Sequence, residues 1–152
     1  MQLTMYTDYS LRTLIFLGLA GEKPATISEI SDFYNISRNH LVKVVHNLSK
    51  SEFIISTRGK GGGIRLSKPA KDIVIADVVK QTEPNFHLVE CFNESNEQIC
   101  TVLPICALKS VLEEAMNQFN KVLENHTLED VIKINRQIGD SQHKVIHFFE
   151  NR

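Results

Sequence analysis

The sequence predicts a mainly α-helical protein with a small β-hairpin, a winged helix-turn-helix followed by a long C-terminal helix. Three observations predict it. Two short amphipathic segments, each with its own N-cap, are separated by a tight turn. A glycine-rich basic stretch joins two β-prone runs just after them. Apolar residues at three/four spacing then run from Leu108 to Leu123, the mark of a long helix.

The elements follow in order. Thr7 is the expected N-cap of the first helix, with Asp8 in its positive first turn. Leu11, Leu14, Ile15 and Gly18 keep helical spacing, and Phe16, Leu17 and Leu19 make the helix apolar nearly all round, so it should be buried. Gly21 and Pro24 close it. Thr26-Ile-Ser-Glu29 is a capping box that opens a short helix with Ile27, Ile30 and Phe33 facing inward. Asn35 suits a left-handed turn, and Ser37 is the next N-cap. In the helix that follows, Leu41, Val44, Val45 and Leu48 form one inward stripe, and the opposite face carries Asn39, Lys43, His46 and Lys50.

Phe53 to Thr57 and Ile64 to Leu66 read as two short strands joined by Arg58-Gly-Lys-Gly-Gly-Gly63, a flexible basic wing tip. Pro69 ends that unit, and Ile75 to Lys80 predicts a short helix packed against it. Gln81 to Pro104 is less regular and contains Cys91 and Cys100, with Cys106 just past Pro104. The long helix, starting near Pro104, carries Leu108, Val111, Leu112, Ala115, Phe119, Val122 and Leu123 on its stripe. Thr127-Leu-Glu-Asp130 caps a further helical segment with Val131, Ile132 and Ile138. The apolar run from Val145 to Phe149 is too short to assign.

The net charge of −1 hides an asymmetry. Residues 1–70 hold nine Lys/Arg against five Asp/Glu, whereas residues 71–152 hold eight against thirteen. Between Arg38 and Lys68 there are seven basic residues and one acid, Glu52. A basic face on a winged helix points to double-stranded DNA. Arg38 and Asn39, near the start of the recognition helix beside His40 and Lys43, are placed for base readout, since Arg pairs bidentately with guanine and Asn with adenine. Lys43, Lys50 and Lys60 are expected on phosphates, and Arg58 and Arg65 in the minor groove. Ser28 and Ser37, at the starts of the two helices, complete the expected contact set. A winged helix used for protein contacts is the alternative. The glycine-rich tip lacks the Gly-Lys-Ser/Thr ending and following helix of a phosphate loop.

The 152 residues fit one compact domain with an extension. No apolar run is long enough to cross a membrane, the N-terminus lacks the features of a secretory signal, and a cytoplasmic location is expected. Three cysteines is an odd number, which argues against a disulfide framework. Eight residues separate Cys91 from Cys100 and five separate Cys100 from Cys106. Three thiolates in one flexible stretch can converge on a metal centre. Spacing alone does not separate an iron–sulfur cluster from zinc, for which His87 would complete a Cys₃His set, or from three unrelated core cysteines. No Cys–His or His–Asp constellation has the spacing of a nucleophilic enzyme, and none is expected.

These motifs together resemble a known family. The opening Met-Gln-Leu-Thr-x-x-Thr-Asp-Tyr-Ser-Leu-Arg12, the Ser37-Arg-Asn-His-Leu-Val-Lys43 helix, the Arg58-Gly-Lys-Gly-Gly-Gly-Ile-Arg-Leu66 wing and the three cysteines are similar to the winged-helix iron–sulfur regulators that include NsrR and IscR, over about residues 1–135. In the IscR-like branch a histidine ligand lies three residues past the last cysteine. Lys109 stands there, so the pattern looks closer to the NsrR, nitric-oxide-sensitive branch.

That resemblance implies a DNA-binding domain over 1–82, a cluster-binding loop over 83–106, and a dimerisation helix with a C-terminal helical segment over 107–152. It implies a homodimer on a palindromic operator and an iron–sulfur cluster, with four irons expected and two the alternative. The implied ligands are Cys91, Cys100 and Cys106, with Asp8 from the partner subunit as the fourth and Arg12 as a neighbour that tunes it. The implied activity is transcriptional repression relieved by nitric oxide; a regulator with another iron–sulfur or redox trigger and a zinc-stapled interaction module are the alternatives.

Overall fold

A computed structural model of the protein describes residues 2–59, 61–93, 100–140 and 149. Its first helix is α1 (Met5–Ala20), whose N-cap lies three residues before the expected one. Thr4 is the N-cap: its hydroxyl accepts from the Thr7 amide at 3.2 Å, and Thr7 is a fully buried residue of the first turn. The two threonines stand three apart, so either satisfies the cap rule by pattern; only the fold, by burying Thr7, decides between them. Gly21 ends the helix at a φ of 65°.

α2 (Ile27–Tyr34) is opened by the expected capping box, in which the Glu29 amide donates to the Thr26 hydroxyl at 3.2 Å and the Thr26 amide donates back to Oε2 of Glu29 at 2.6 Å. Asn35 takes the left-handed turn at φ 53° and ψ 45°, and α3 (Arg38–Lys50) follows. Leu41, Val44, Val45 and Leu48 are all buried, as their spacing requires. Ser37 is the N-cap of α3, though its side chain makes no cap bond.

Strands β1 (Ile54–Thr57) and β2 (Gly63–Leu66) pair antiparallel, from Ile54 opposite Leu66 to Thr57 opposite Gly63. Phe53 packs in the core just outside β1. Ala25 and Ile64 exchange two backbone bonds of 2.8 and 2.7 Å, which pins the root of the wing to the start of the helix-turn-helix.

α4 (Ile75–Thr82), α5 (Ala107–Glu124) and α6 (Leu128–Asp140) complete the fold. The long helix starts at Ala107; Leu103–Ile105 around Pro104 form a separate single 3₁₀ turn, and Cys106 is the N-cap of α5. Thr127 and Asp130 form the expected cap of α6, with Oδ2 of Asp130 accepting from the Thr127 amide at 2.9 Å. The α5–α6 junction is stitched to the start of α4 by Ile75 N–H to His126 O and Leu128 N–H to Ile73 O, at 2.9 and 2.8 Å. Leu128 and Ile132 of α6 thereby join the core of Leu14, Phe16, Leu17, Ile30, Leu41 and Leu48. Gly18 lets α6 approach α1, since a Cβ there would overlap the tip of Ile132. Residues 145–148 of the terminal apolar run and Lys60 of the wing lie outside the described residues; Phe149 packs edge-on against Phe16, ring centroids 5.1 Å apart.

The stripe on α5 is only partly covered within the chain. Met116 is buried, but Leu108, Val111 and Val122 are 64%, 63% and 57% exposed and fall on one side of the helix. No helix among the described residues is long and apolar enough to cross a membrane.

Candidate functional site

The recognition face starts from α3. Burying Leu41, Val44, Val45 and Leu48 turns Arg38, Asn39, His40, Lys43, His46 and Lys50 to solvent, and all six are exposed. Ser37 is exposed ahead of them, while Ser28 in the first turn of α2 is half-buried. Arg58 and Arg65 are exposed on the wing.

Among the described residues, none of Arg38, Lys43, Lys50, Arg58, Arg65 and Lys68 makes an ion pair. Lys68 lies over the Phe53 ring, 5.5 Å from its centroid. Elsewhere Arg12 pairs with Asp8, Lys80 with Glu124, Lys109 with Glu113 and Lys133 with Glu129, while Lys23, Lys71, Lys121 and Arg136 make no ion pair among the described residues. A cationic surface with no internal partners is suited to a polyanion. Lys50 also lies in the last turn of α3, where a cation complements the helix dipole.

Two residues that the sequence reading did not single out steady this face. The Tyr6 hydroxyl donates to the Lys43 carbonyl at 3.4 Å and bonds the Asn47 side chain one turn on, and burial pushes its phenol up. Tyr9 stacks on His40, ring centroids 6.1 Å apart and planes 29° from parallel. Tyrosines three apart on a buried helix signal one polar-tipped face, but their partner helix is not legible from spacing.

The thiols lie after α4. Cys91 is half-buried in a 3₁₀ turn (Glu90–Phe92), Cys100 is exposed with its carbonyl accepting from Leu103 at 2.9 Å, and Cys106 is half-buried at the head of α5. All three are free, and Cys106 makes no side-chain cap bond. They are thus not three core cysteines. Among the described residues no three Cys, His, Asp or Glu side chains are grouped to hold a metal within this chain, so neither the three thiols with Asp8 nor the thiols with His87 are brought together. The donor chemistry nevertheless fits an iron–sulfur centre, because three free cysteines within sixteen residues supply the soft sulfur ligands such a centre takes.

Asp8 projects from the first turn of α1 and is gripped by Arg12, with Nε donating to Oδ1 and Nη2 meeting Oδ2, both at 2.9 Å. The Asp8 bond raises the Arg12 pKa further, and the guanidinium sits 5.9 Å from the Tyr34 ring centroid. Burial pushes the Tyr34 phenol up to about 12, with Arg12 pulling the other way. Arg12 is therefore the neighbour of Asp8 that the sequence anticipates. Lys109, at the position of the absent histidine, pairs with Glu113 at 3.5 Å.

The chain matches the Rrf2 family, described as iron-dependent transcriptional regulators, over residues 3–134. It is 47% identical over 136 residues to the HTH-type transcriptional regulator NsrR of Bacillus subtilis, covering 88% of this chain and 91% of that protein. It is 48% identical over 134 residues to the NsrR regulator of Oceanobacillus iheyensis, covering 88% and 90%. The fold is similar to that of Staphylococcus aureus CymR in its oxidized form, with a TM-score of 0.69 at 24% identity over 87% of this chain and 96% of that one. It is also similar to T. potens IscR, with a TM-score of 0.67 at 23% identity over 88% of this chain and 87% of that one.

Proposed function

This chain belongs to the Rrf2 family of transcriptional regulators, and from that premise we propose that it is a homodimeric repressor whose grip on DNA is set by an iron–sulfur cluster and released by nitric oxide. It is a regulator, not an enzyme. The observation that carries the reading is a pairing within one chain: a basic recognition face with no ion pairs among the described residues, and three free thiols on the segment that follows it.

In this reading α3 lies in the major groove. Arg38 and Asn39 contact base edges; Ser28, Ser37, His40, Lys43, Lys50 and Lys60 contact the backbone and groove walls; Arg58 and Arg65 enter the minor groove. Residues 1–82 read DNA, 83–106 hold the cluster, and 107–152 pair the subunits. The exposed Leu108, Val111 and Val122 supply the apolar surface that a twofold mate would cover, placing two recognition helices about one DNA turn apart.

Cys91, Cys100 and Cys106 would hold the cluster, of four irons in preference to two, with Asp8 of the partner subunit as fourth ligand. When bound, the cluster supplies iron with which nitric oxide reacts. The chain's own part is mechanical: three thiolates fix the 83–106 segment in one conformation, and their release frees it and shifts the reading heads.

The test is Cys100→Ser, prepared without air. The reading expects a colourless, iron-poor dimer that no longer selects its operator; a variant that binds the operator tightly without iron would refute it. Wild-type protein that carries zinc and no iron, and ignores DNA, would support a zinc-stapled interaction module instead. Oxygen releasing DNA where nitric oxide does not would favour a redox trigger.

A further inference from the structure

The cap of α1 is held by a residue far along the chain. Oε1 of Glu83 accepts from the Thr4 amide at 2.7 Å and from the Thr4 hydroxyl at 3.1 Å, across 79 residues of sequence. Glu83 is the C-cap of α4 and the first residue of the segment that carries the three thiols. Thr4 is the N-cap of α1. One carboxylate oxygen therefore joins the head of the thiol segment to the head of the first helix.

The same end of α1 touches the recognition helix. Tyr6, two residues after the cap, bonds the Lys43 carbonyl and the Asn47 side chain, and Tyr9 stacks on His40. Within α1, the buried Ser10 and Thr13 hydroxyls donate to the carbonyls of Tyr6 and Tyr9 at 2.8 and 2.7 Å, tying these two residues to the next turn of the helix. Beside the clamp lies a cavity of about 460 Å³, lined in part by Leu3, Phe86, His87, Met116 and Phe119. Thr4 and Glu83 themselves line this space, so the clamp forms part of its wall.

We propose that Glu83 is a positioning residue that transmits the conformation of the 83–106 segment to the recognition helix through Thr4 and the Tyr6–Tyr9 turn of α1. The proposal deepens the cluster-governed reading and rests on it for the signal, while the link itself belongs to the metal-free chain.

The experiment has two arms. In metal-free protein, amide correlation spectra of Glu83→Ala should show the signals of Tyr6, Thr7 and Asp8 moving, and those of His40, Lys43 and Asn47 on α3 moving with them. In anaerobically loaded protein, Glu83→Ala should match wild type in iron content and absorbance, yet lose on the order of tenfold from the ratio of operator affinities between loaded and metal-free states. Glu83→Gln, whose amide oxygen can accept both bonds, should restore both readouts. Should Glu83→Ala not fold, Glu83→Asp, one methylene too short for Thr4 from the same backbone, carries the same expectation.

Movement confined to α1, or an affinity ratio equal to wild type, overturns the proposal. Wild-type protein with no affinity difference between the two states overturns the functional reading instead, and the metal-free spectra then decide the link by themselves.

Discussion

Arg38 and Lys43 separate sequence reading from charge attraction, and alanine at each tests the recognition face in depth. Both side chains are exposed and make no ion pair among the described residues, so truncation removes little packing. Alanine also favours the helix, which keeps stability within about 0.5 kcal/mol. A bidentate base contact is worth about 1–3 kcal/mol, and a twofold dimer makes it twice, so Arg38→Ala should weaken the selected site by about 2–6 kcal/mol, at least roughly 30-fold. Its effect on random DNA should be far smaller. Lys43→Ala should weaken selected and random DNA by the same factor. It should also flatten the slope of log affinity against log salt by about 1.8, since each lost phosphate contact removes about 0.9. Fluorescence anisotropy across a potassium chloride series, with a site enriched from a random pool and a scrambled control, measures all of this. Equal losses on both DNAs for Arg38→Ala, or an unchanged salt slope for Lys43→Ala, would refute the assignment of α3 as the reading helix.

Three stability predictions follow from the packing. Gly18→Ala should cost about 1–3 kcal/mol through overlap with Ile132, partly offset by helix propensity; Ile132→Val removes the overlapping carbon, so urea unfolding should find the double variant roughly 1 kcal/mol more stable than the sum of the singles. Glu52 holds a left-handed φ of 59° between α3 and β1, and its carbonyl bond from Ser67 survives substitution, so Glu52→Gly should gain up to about 1 kcal/mol and raise Tm by about 2–4 °C in calorimetry. The Thr127 amide, then its hydroxyl, hold the Asp130 carboxyl below its ordinary value. A depressed carboxylate stabilises fully above its unfolded value and loses that contribution as pH falls through the folded one, so Asp130→Asn should be less stable at neutral pH and shallower in its acid limb below about pH 4.

Much of the fold is legible because it rests on local rules. The Thr26–Glu29 box, the Asn35 turn and the Leu41–Leu48 stripe are each decided within a few residues, and together they orient the exposed face of α3. The choice of Thr4 over Thr7 as cap is not legible, because what distinguishes them, the burial of Thr7 and the hold of Glu83 on Thr4, is tertiary. The expected helical region from residue 107 coincides with the start of α5, but that the turn around Pro104 is separate from it is not legible, because Pro104 equally suits the first turn of a helix. The roles of Tyr6, Tyr9 and Glu83 depend on pairings 31 to 79 residues apart, beyond any periodicity. The thiols are legible as three free donors, but their spacing does not choose between a cluster, zinc and burial, because convergence of ligands is a tertiary property.

One titration addresses the central claim most directly. Nitric oxide is added without air to the loaded protein on labelled operator DNA, while cluster absorbance and anisotropy are recorded from the same cuvette. The account predicts that both signals fall together and reach their end points at the same ratio of nitric oxide to iron. DNA that stays bound after the absorbance has gone would contradict it.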